Sequence, residues 1–233
     1  MIRIEKTEVV GWEHAIRGMR NPMNSWHMSD SYPADDCGKC GKIEREGICR
    51  KEDRDCTGFY CYDIGFNDMG LMQKLAKAGT DHRKFMRMIE VYCDITAPLY
   101  WWKEFDTYKV GTVANSCSTM HKIHSKELTL DDFSHDRMRM SCVDYLQEII
   151  GVLNSIRSCY MATNDKSYWD SMIQLLPSSY NQKRTVMMNY EVLASIYNAR
   201  KNHKLDEWRE LCSWIETLPY SILMTGKDGE PDG

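Results

Sequence analysis

The chain has 233 residues, 42% of them hydrophobic, and a formal net charge of −4. That suffices for one buried core, as a single domain or a domain with an insertion, and the near-balanced charge makes no electrostatic case for a nucleic-acid surface. No apolar run reaches the ~20 residues that cross a membrane, and the opening MIRIEKTEVVGWEH lacks the apolar centre of a secretory signal, so the expectation is a cytoplasmic protein.

Ile2 and Ile4 open a short strand-like piece, and WEHAIRGMRNP reads as a helix stopped near Pro22. Residues 30–63 change character: they are rich in Asp, Gly, Lys and Cys, show little periodicity, and are expected to form an insertion or lid. NDMGLMQKLAKAG predicts a helix capped by Asp68, with Met69, Met72 and Leu75 or Ala76 on one face and Gly79 at its end. Ile89, Val91, Cys93 and Ile95 alternate with polar neighbours or Tyr92, the period of a half-buried strand. Pro98 then suits the first turn of a helix over PLYWWKEFDTYK. Adjacent Trp101 and Trp102 cannot both face one ligand; core and subunit interface are the expected fates of these and of Trp208.

Met140, Val143, Leu146, Ile149 or Ile150, Leu153 and Ile156 predict a long helix from about Asp132 to Met161. SYWDSMIQLL is a shorter helix before Pro177, and QKRTVMMN reads as a strand. YEVLASIYNAR and LDEWRELCSWIETL are two amphipathic helices, the second with Leu205, Trp208, Leu211, Cys212 and Ile215 on one face. The tail, from about residue 225 to 233, is expected to be disordered. The sum is a helix-rich α+β domain with a small antiparallel sheet.

The stretch DITAPLYWWKEFDTYKVGTVANSCSTMHKI, residues 94–123, resembles the signature region of the flavin-dependent thymidylate synthases, which runs from Ala-Pro at a helix start to R-H-R-x-x-S-x-N-E-x-S-x-R-Y-S-K-L. Ala97-Pro98 matches the helix start, Lys109 the third residue of the basic triplet, Thr112 the first serine, Cys117 the second, and Lys122-Ile123 the closing pair. A second region, LLPSSYNQKRTVMMNYEVLASIYNAR, is similar to the family's Leu-Pro segment, strand and helix, and KNHKLDEW resembles the family stretch that follows it. The resemblance spans roughly residues 69–216. It implies FAD as cofactor, with Asn189, Lys109 and Tyr108 beside it, and a pyrimidine deoxynucleotide as substrate, with Arg200, Asn115 and Glu104 around it and Cys117 or Thr112, the candidate catalytic residues, beside the base. It also implies a homotetramer with sites between subunits.

The departures are specific. The family's first Arg and its His are Thr107 and Tyr108, its Asn-Glu pair is Ala114-Asn115, and Thr119-Met120 replaces Arg-Tyr. Glu104 stands for a Gln, Glu191 for an Arg, and Met86 for a flavin-facing His. An arginine grips phosphate through a charged fork, whereas threonine offers one neutral hydroxyl. Weak or absent thymidylate formation is therefore expected, and a binding protein that kept the fold and lost the ligand residues is the rival reading. Two readings of Cys117 stand: a thiolate that adds to C6 of a pyrimidine, or a small residue filling a serine-sized gap, the latter preferred because no general base is matched. Arg200 is either a phosphate ligand or a charge near a helix C-terminus.

Ten cysteines are many for this chain. Five are scattered through regular segments and read as small buried hydrophobes. The others crowd into CGKCGKIEREGICRKEDRDCTGFYC. There Cys37 and Cys40 form a C-x-x-C knuckle, and Cys49 and Cys56 complete a candidate four-thiolate site for structural zinc, with Cys61 in reserve. An iron–sulfur cluster and a reduced, metal-free lid are the alternatives.

Overall fold

The computed structural model describes residues 2–33 and 62–227. The cysteines at 37, 40, 49, 56 and 61, and the tail from 228, lie outside the described residues, and so do the expectations made of them.

Strand β1 spans Arg3–Val10 and ends at Gly11, whose φ of 94° suits glycine. A Cβ there would sit 1.9 Å from the Met88 carbonyl oxygen, so only glycine lets the chain pass. Helix α1, Trp12–Arg20, buries Trp12, Ala15, Ile16 and Met19 at helical spacing and stops before Asn21-Pro22, as the sequence predicts. Two short strands follow, β2 (Tyr32–Pro33) and β3 (Tyr62–Asp63). They pair antiparallel, Tyr32 opposite Asp63 and Pro33 opposite Tyr62.

Helix α2 spans Phe66–Lys77 and corrects one expectation. Asp68 is not its cap: the helix starts two residues earlier, after Gly65, and Asp68 lies in the first turn, fully buried. The capping acceptor comes from elsewhere in the chain, for the Asp30 carboxylate takes the amides of Asn67 (2.8 Å) and Asp68 (3.0 Å). Asp68 instead pairs with buried Arg20 at 2.6 Å and accepts from Ser29, Ser31 and the Asp30 amide.

The remaining elements are β4 (Glu90–Pro98), α3 (Leu99–Phe105), β5 (Thr112–Ser116), α4 (Thr119–Lys122), α5 (Met140–Thr163), α6 (Lys166–Leu175), β6 (Asn181–Asn189), α7 (Tyr190–Arg200), α8 (Asp206–Glu216) and α9 (Ile222–Thr225). Four strands form one sheet in the order β1-β4-β6-β5. The neighbours β4 and β6 run antiparallel: the Tyr190 amide donates to Ile89 at one end, and the Leu99 amide donates to Tyr180 at the other. The long helix begins at Met140 rather than near Asp132; Phe133 is drawn into a bridge with Tyr180 instead. The expected fold class, helix-rich α+β with a small antiparallel sheet, is what the chain adopts.

The chain divides into two compact units. One comprises Met1–Glu5, Asp94–Lys109 and Ala114–Thr185. Its core packs Ile123, Leu128, Phe133 and Met172 against Leu146, Ile150 and Leu153 of α5. Beside them Trp101, Trp102 and Phe105 stack edge and face. The other unit comprises Lys6–Cys93, Val110–Val113 and Val186–Gly233. Within it Trp12 meets Tyr190 and Tyr220 edge-on, and Trp208, Leu211 and Ile215 of α8 are fully buried. Trp101, Trp102 and Trp208 are thus core residues, at most 1% exposed within a single chain, and leave no surface for a subunit contact.

Candidate functional site

A cavity of about 340 Å³ opens in the first unit. Its wall is built from the segment Cys117–Thr119, from Lys122 of α4 and Lys126 beyond it, and from Tyr180, Gln182 and Lys183 at the start of β6. The volume falls within the ~300–1,000 Å³ typical of small-molecule sites.

The wall is fixed by hydrogen bonds that start deep in the core. The Trp102 indole donates to the Gln182 carbonyl at 2.9 Å. Arg184 lies over the Trp102 ring at 4.1 Å, pairs with Asp106 at 2.7 Å, and donates to Gln182 Oε1 at 3.0 Å. Gln182 Nε2 in turn donates to the Cys117 carbonyl and to Thr119 Oγ1, both at 3.0 Å. The Cys117 amide donates to the Lys183 carbonyl, and Ser118 caps α4 by accepting from the His121 amide. Every polar group of Gln182 used here points at its neighbours, so the residue positions the wall.

The electrostatics are close to balance. Lys126 pairs with Asp132, a bond that raises its pKa. Lys183 pairs with Asp94 at 3.0 Å and lies 3.7 Å from Glu5, and the Asp94 bond likewise raises its pKa. Lys122 is exposed and makes no ion pair among the described residues. Burial, then the charge of Asp132, pushes the Tyr180 phenol upward, so it stays a neutral hydroxyl at ordinary pH. Among the described residues no carboxylate or imidazole lines the cavity.

Cys117 lines this cavity and is exposed in the single chain. The other residues singled out in the sequence lie as follows. Asn115 is exposed on β5, whereas Glu104 and Tyr108 are half-buried and Lys109 is exposed near the end of α3. In the second unit Thr112 opens β5, and its buried hydroxyl finds no partner among the described residues. Asn189 caps α7, its Oδ1 accepting from the Val192 amide at 3.0 Å. Gly111, with φ 77°, passes so close to Asn189 that a Cβ would lie 2.7 Å from its Nδ2. Arg200 lies over the Trp208 ring at 4.6 Å. Glu191 is held by Arg83 and Arg87, and those hydrogen bonds outweigh burial to keep its carboxyl below the usual range.

Sequence reasoning missed β5, Lys126, Tyr180, Gln182 and Lys183. The signal for β5 was modest: a turn glycine followed by β-branched Thr112 and Val113.

Among the described residues no three His, Cys, Asp or Glu side chains group as a metal site, and no helix is long and apolar enough to cross a membrane. The fold and cavity define an α+β protein with a small-molecule-sized site at a strand start. No protein-family model matches the chain, and neither does any curated protein. Solved structures do. The flavin-dependent thymidylate synthase ThyX from Helicobacter pylori, complexed with FAD and dUMP, is similar with a TM-score of 0.63 and 14% identity, over 96% of this chain and 97% of that one. A second structure of the same enzyme with FAD and dUMP gives 0.62 and 14%, over 97% of both chains. At that identity the likeness establishes the fold: this chain has the architecture of a flavin-dependent thymidylate synthase.

Proposed function

We propose that the chain is a divergent thymidylate synthase-like protein that binds a pyrimidine deoxynucleotide in the cavity beside Cys117 and modifies its base. The observation that carries this reading is the near-complete overlap, over 96–97% of both chains, with an enzyme solved holding dUMP. The cavity suits the ligand in size and in chemistry: hydroxyls and amides for a sugar and a base, and Lys122 as an ammonium left over for phosphate. Cys117 supplies a thiol on the wall. By the same resemblance the assembly is a homotetramer; separately, and from the C-x-x-C spacing alone, Cys37, Cys40, Cys49 and Cys56 are proposed to hold a structural zinc.

FAD fits the chain's own residues poorly. Asn189, expected beside the flavin, has its Oδ1 committed to capping α7. Arginine forks are gone from the signature, and a carboxylate, Glu191, stands where one would serve. No step is therefore assigned through a flavin. Among the described residues that line the cavity none carries a carboxylate or imidazole, which supports a second reading, a protein that binds nucleotide without turning it over.

Calorimetric titration of deoxyuridylate, with and without FAD, tests the proposal. The expected result is nucleotide binding that does not require FAD and that weakens when Lys122 is replaced by Ala. Tight stoichiometric FAD with no nucleotide binding would overturn it. Turnover of deoxyuridylate with methylene-folate and NADPH, at the rate of an ordinary synthase, would overturn the reading of the lost arginines.

A further inference from the structure

The partners of the Gln182 side chain leave its amide one orientation. Arg184 Nε donates to Oε1 at 3.0 Å. A guanidinium carries no acceptor, so the atom it addresses is the amide oxygen and the other is the NH2. The guanidinium is itself held, over the Trp102 ring at 4.1 Å and against Asp106 at 2.7 Å. Gln182 Nε2 then spends its hydrogens on the Cys117 carbonyl and on Thr119 Oγ1, each at 3.0 Å. That last bond decides what Thr119 can offer. A threonine hydroxyl both donates and accepts, and its hydrogen ordinarily turns to suit whatever comes near. Here the oxygen already accepts from an amide, so the hydrogen points away from Gln182, and among the described residues no group takes it. Thr119 is half-buried and lines the cavity. Ser125, on the same wall, is the reverse case: its hydroxyl donates to the Lys122 carbonyl at 2.7 Å and has lone pairs left to offer.

Resting on the nucleotide reading of the cavity, we infer that Thr119 is a specificity-determining residue, whose hydroxyl donates to an acceptor oxygen of the bound ligand because Gln182 and Arg184 orient it. Gln182 and Arg184 are positioning residues that act through Thr119. A ligand that presents an oxygen lone pair there, from a carbonyl or a phosphoryl group, completes the hydroxyl's hydrogen bonding. An N–H aimed at the same hydrogen finds no partner in it and loses the bonds it had to water. The polarity is thus set from the core outward, from Trp102 and Asp106 through Arg184 and Gln182 to the wall.

Calorimetric titration of the full chain with deoxyuridylate tests the assignment. Thr119→Val keeps the shape and removes the hydrogen, and should weaken binding about fivefold, the loss of one neutral hydrogen bond. Thr119→Ser keeps the donor and should bind close to the wild type. Gln182→Glu keeps the reach to Arg184 but, as a carboxylate, can only accept. It should take the Thr119 hydrogen for itself and weaken binding as much as Thr119→Val does. The double variant should then bind no worse than either single one, because both changes silence the same hydrogen, whereas a merely structural role for Gln182 gives losses that add. If Gln182→Glu lowers the melting temperature, Thr119→Val and Thr119→Ser decide the matter alone. Repeating the series with deoxyuridine locates the acceptor: an effect of Thr119→Val that persists places it on the base or sugar, one that vanishes places it on the phosphate, and either supports the donor. Binding that falls with Lys122→Ala yet is untouched by Thr119→Val would overturn this assignment and leave the nucleotide site standing. Thr119→Ser as weak as Thr119→Val would overturn it too. A wild-type chain that binds no deoxyuridylate would overturn the nucleotide reading and the role of Thr119 with it.

Discussion

Cys117 and Cys212 carry the same group in opposite surroundings. Cys117 is exposed on the cavity wall; Cys212 is 4% exposed on the inner face of α8, where burial, helped by the charge of Glu216, pushes its thiol up to about 11. Only thiolate reacts, so iodoacetamide at about pH 8 should modify Cys117 and leave Cys212 intact until the chain is unfolded. Peptide mass spectrometry reads the difference directly, and equal labelling of the native protein would contradict the burial. The cavity lysines divide in the same way. Lys122 has no carboxylate partner among the described residues, so Lys122→Ala should cost nucleotide affinity alone, roughly fivefold for an exposed charge worth ~1 kcal/mol. Lys183→Ala instead strips a partner from Asp94, which is only 9% exposed, so it should lower the melting temperature as well. If both variants lost affinity alone, with stability unchanged, the division of roles would be wrong.

At the scale of elements, Arg20 of α1 and Asp68 of α2 form a fully buried pair, satisfied further by Ser29, Ser31 and the Asp30 amide. Burial opposes the charge on Asp68, and the hydrogen bonds from Ser31, Ser29 and Arg20 overcome it, leaving the carboxyl below its ordinary value. A depressed carboxylate stabilises the fold above the unfolded pKa near 4 and loses that contribution as pH falls through the folded value. Acid denaturation of the wild type should therefore steepen below about pH 4. Arg20→Ala leaves the carboxylate buried without its partner and should cost about 3–5 kcal/mol at neutral pH, measured by urea unfolding. A loss under ~1 kcal/mol would mean the pair is dispensable. This pair also marks where sequence stops being legible. Asp68 stands where a local rule would put a cap, and its true partner lies 48 positions away, beyond any periodicity. By contrast, the alternation at 89–95 and the apolar spacing of YEVLASIYNAR located β4 and α7, because burial on one face leaves a repeat in the chain. The edge strand β5 left none, being mostly exposed, and the cavity residues Tyr180, Gln182 and Lys183 came from the start of a strand with no motif of its own.

For the whole molecule, a likeness of 14% identity still spans nearly the full length of both chains, so one fold is reached with few side chains in common. Apolar positions tolerate exchange when volume and pattern are kept, whereas an arginine fork replaced by threonine keeps the backbone and loses the grip. Tyr32 and Pro33 pair with Asp63 and Tyr62, so the chain on either side of residues 34–61 meets in one place. Tyr220 reinforces the return: its phenol donates to the Tyr62 carbonyl at 2.6 Å and accepts from the Ile64 amide at 3.1 Å. Because residues 33 and 62 are already neighbours, replacing 34–61 with a short Gly-Ser linker should leave the far-ultraviolet circular dichroism and the melting temperature close to those of the full chain. Metal analysis then tests the thiolate site: the full chain should carry about one zinc, since four thiolates close one tetrahedral shell, and the shortened chain should carry none. Zinc retained after excision would place the ligands elsewhere. A metal-free full chain would reject the site, and a shortened chain that fails to fold would make the stretch part of the core rather than an addition to it.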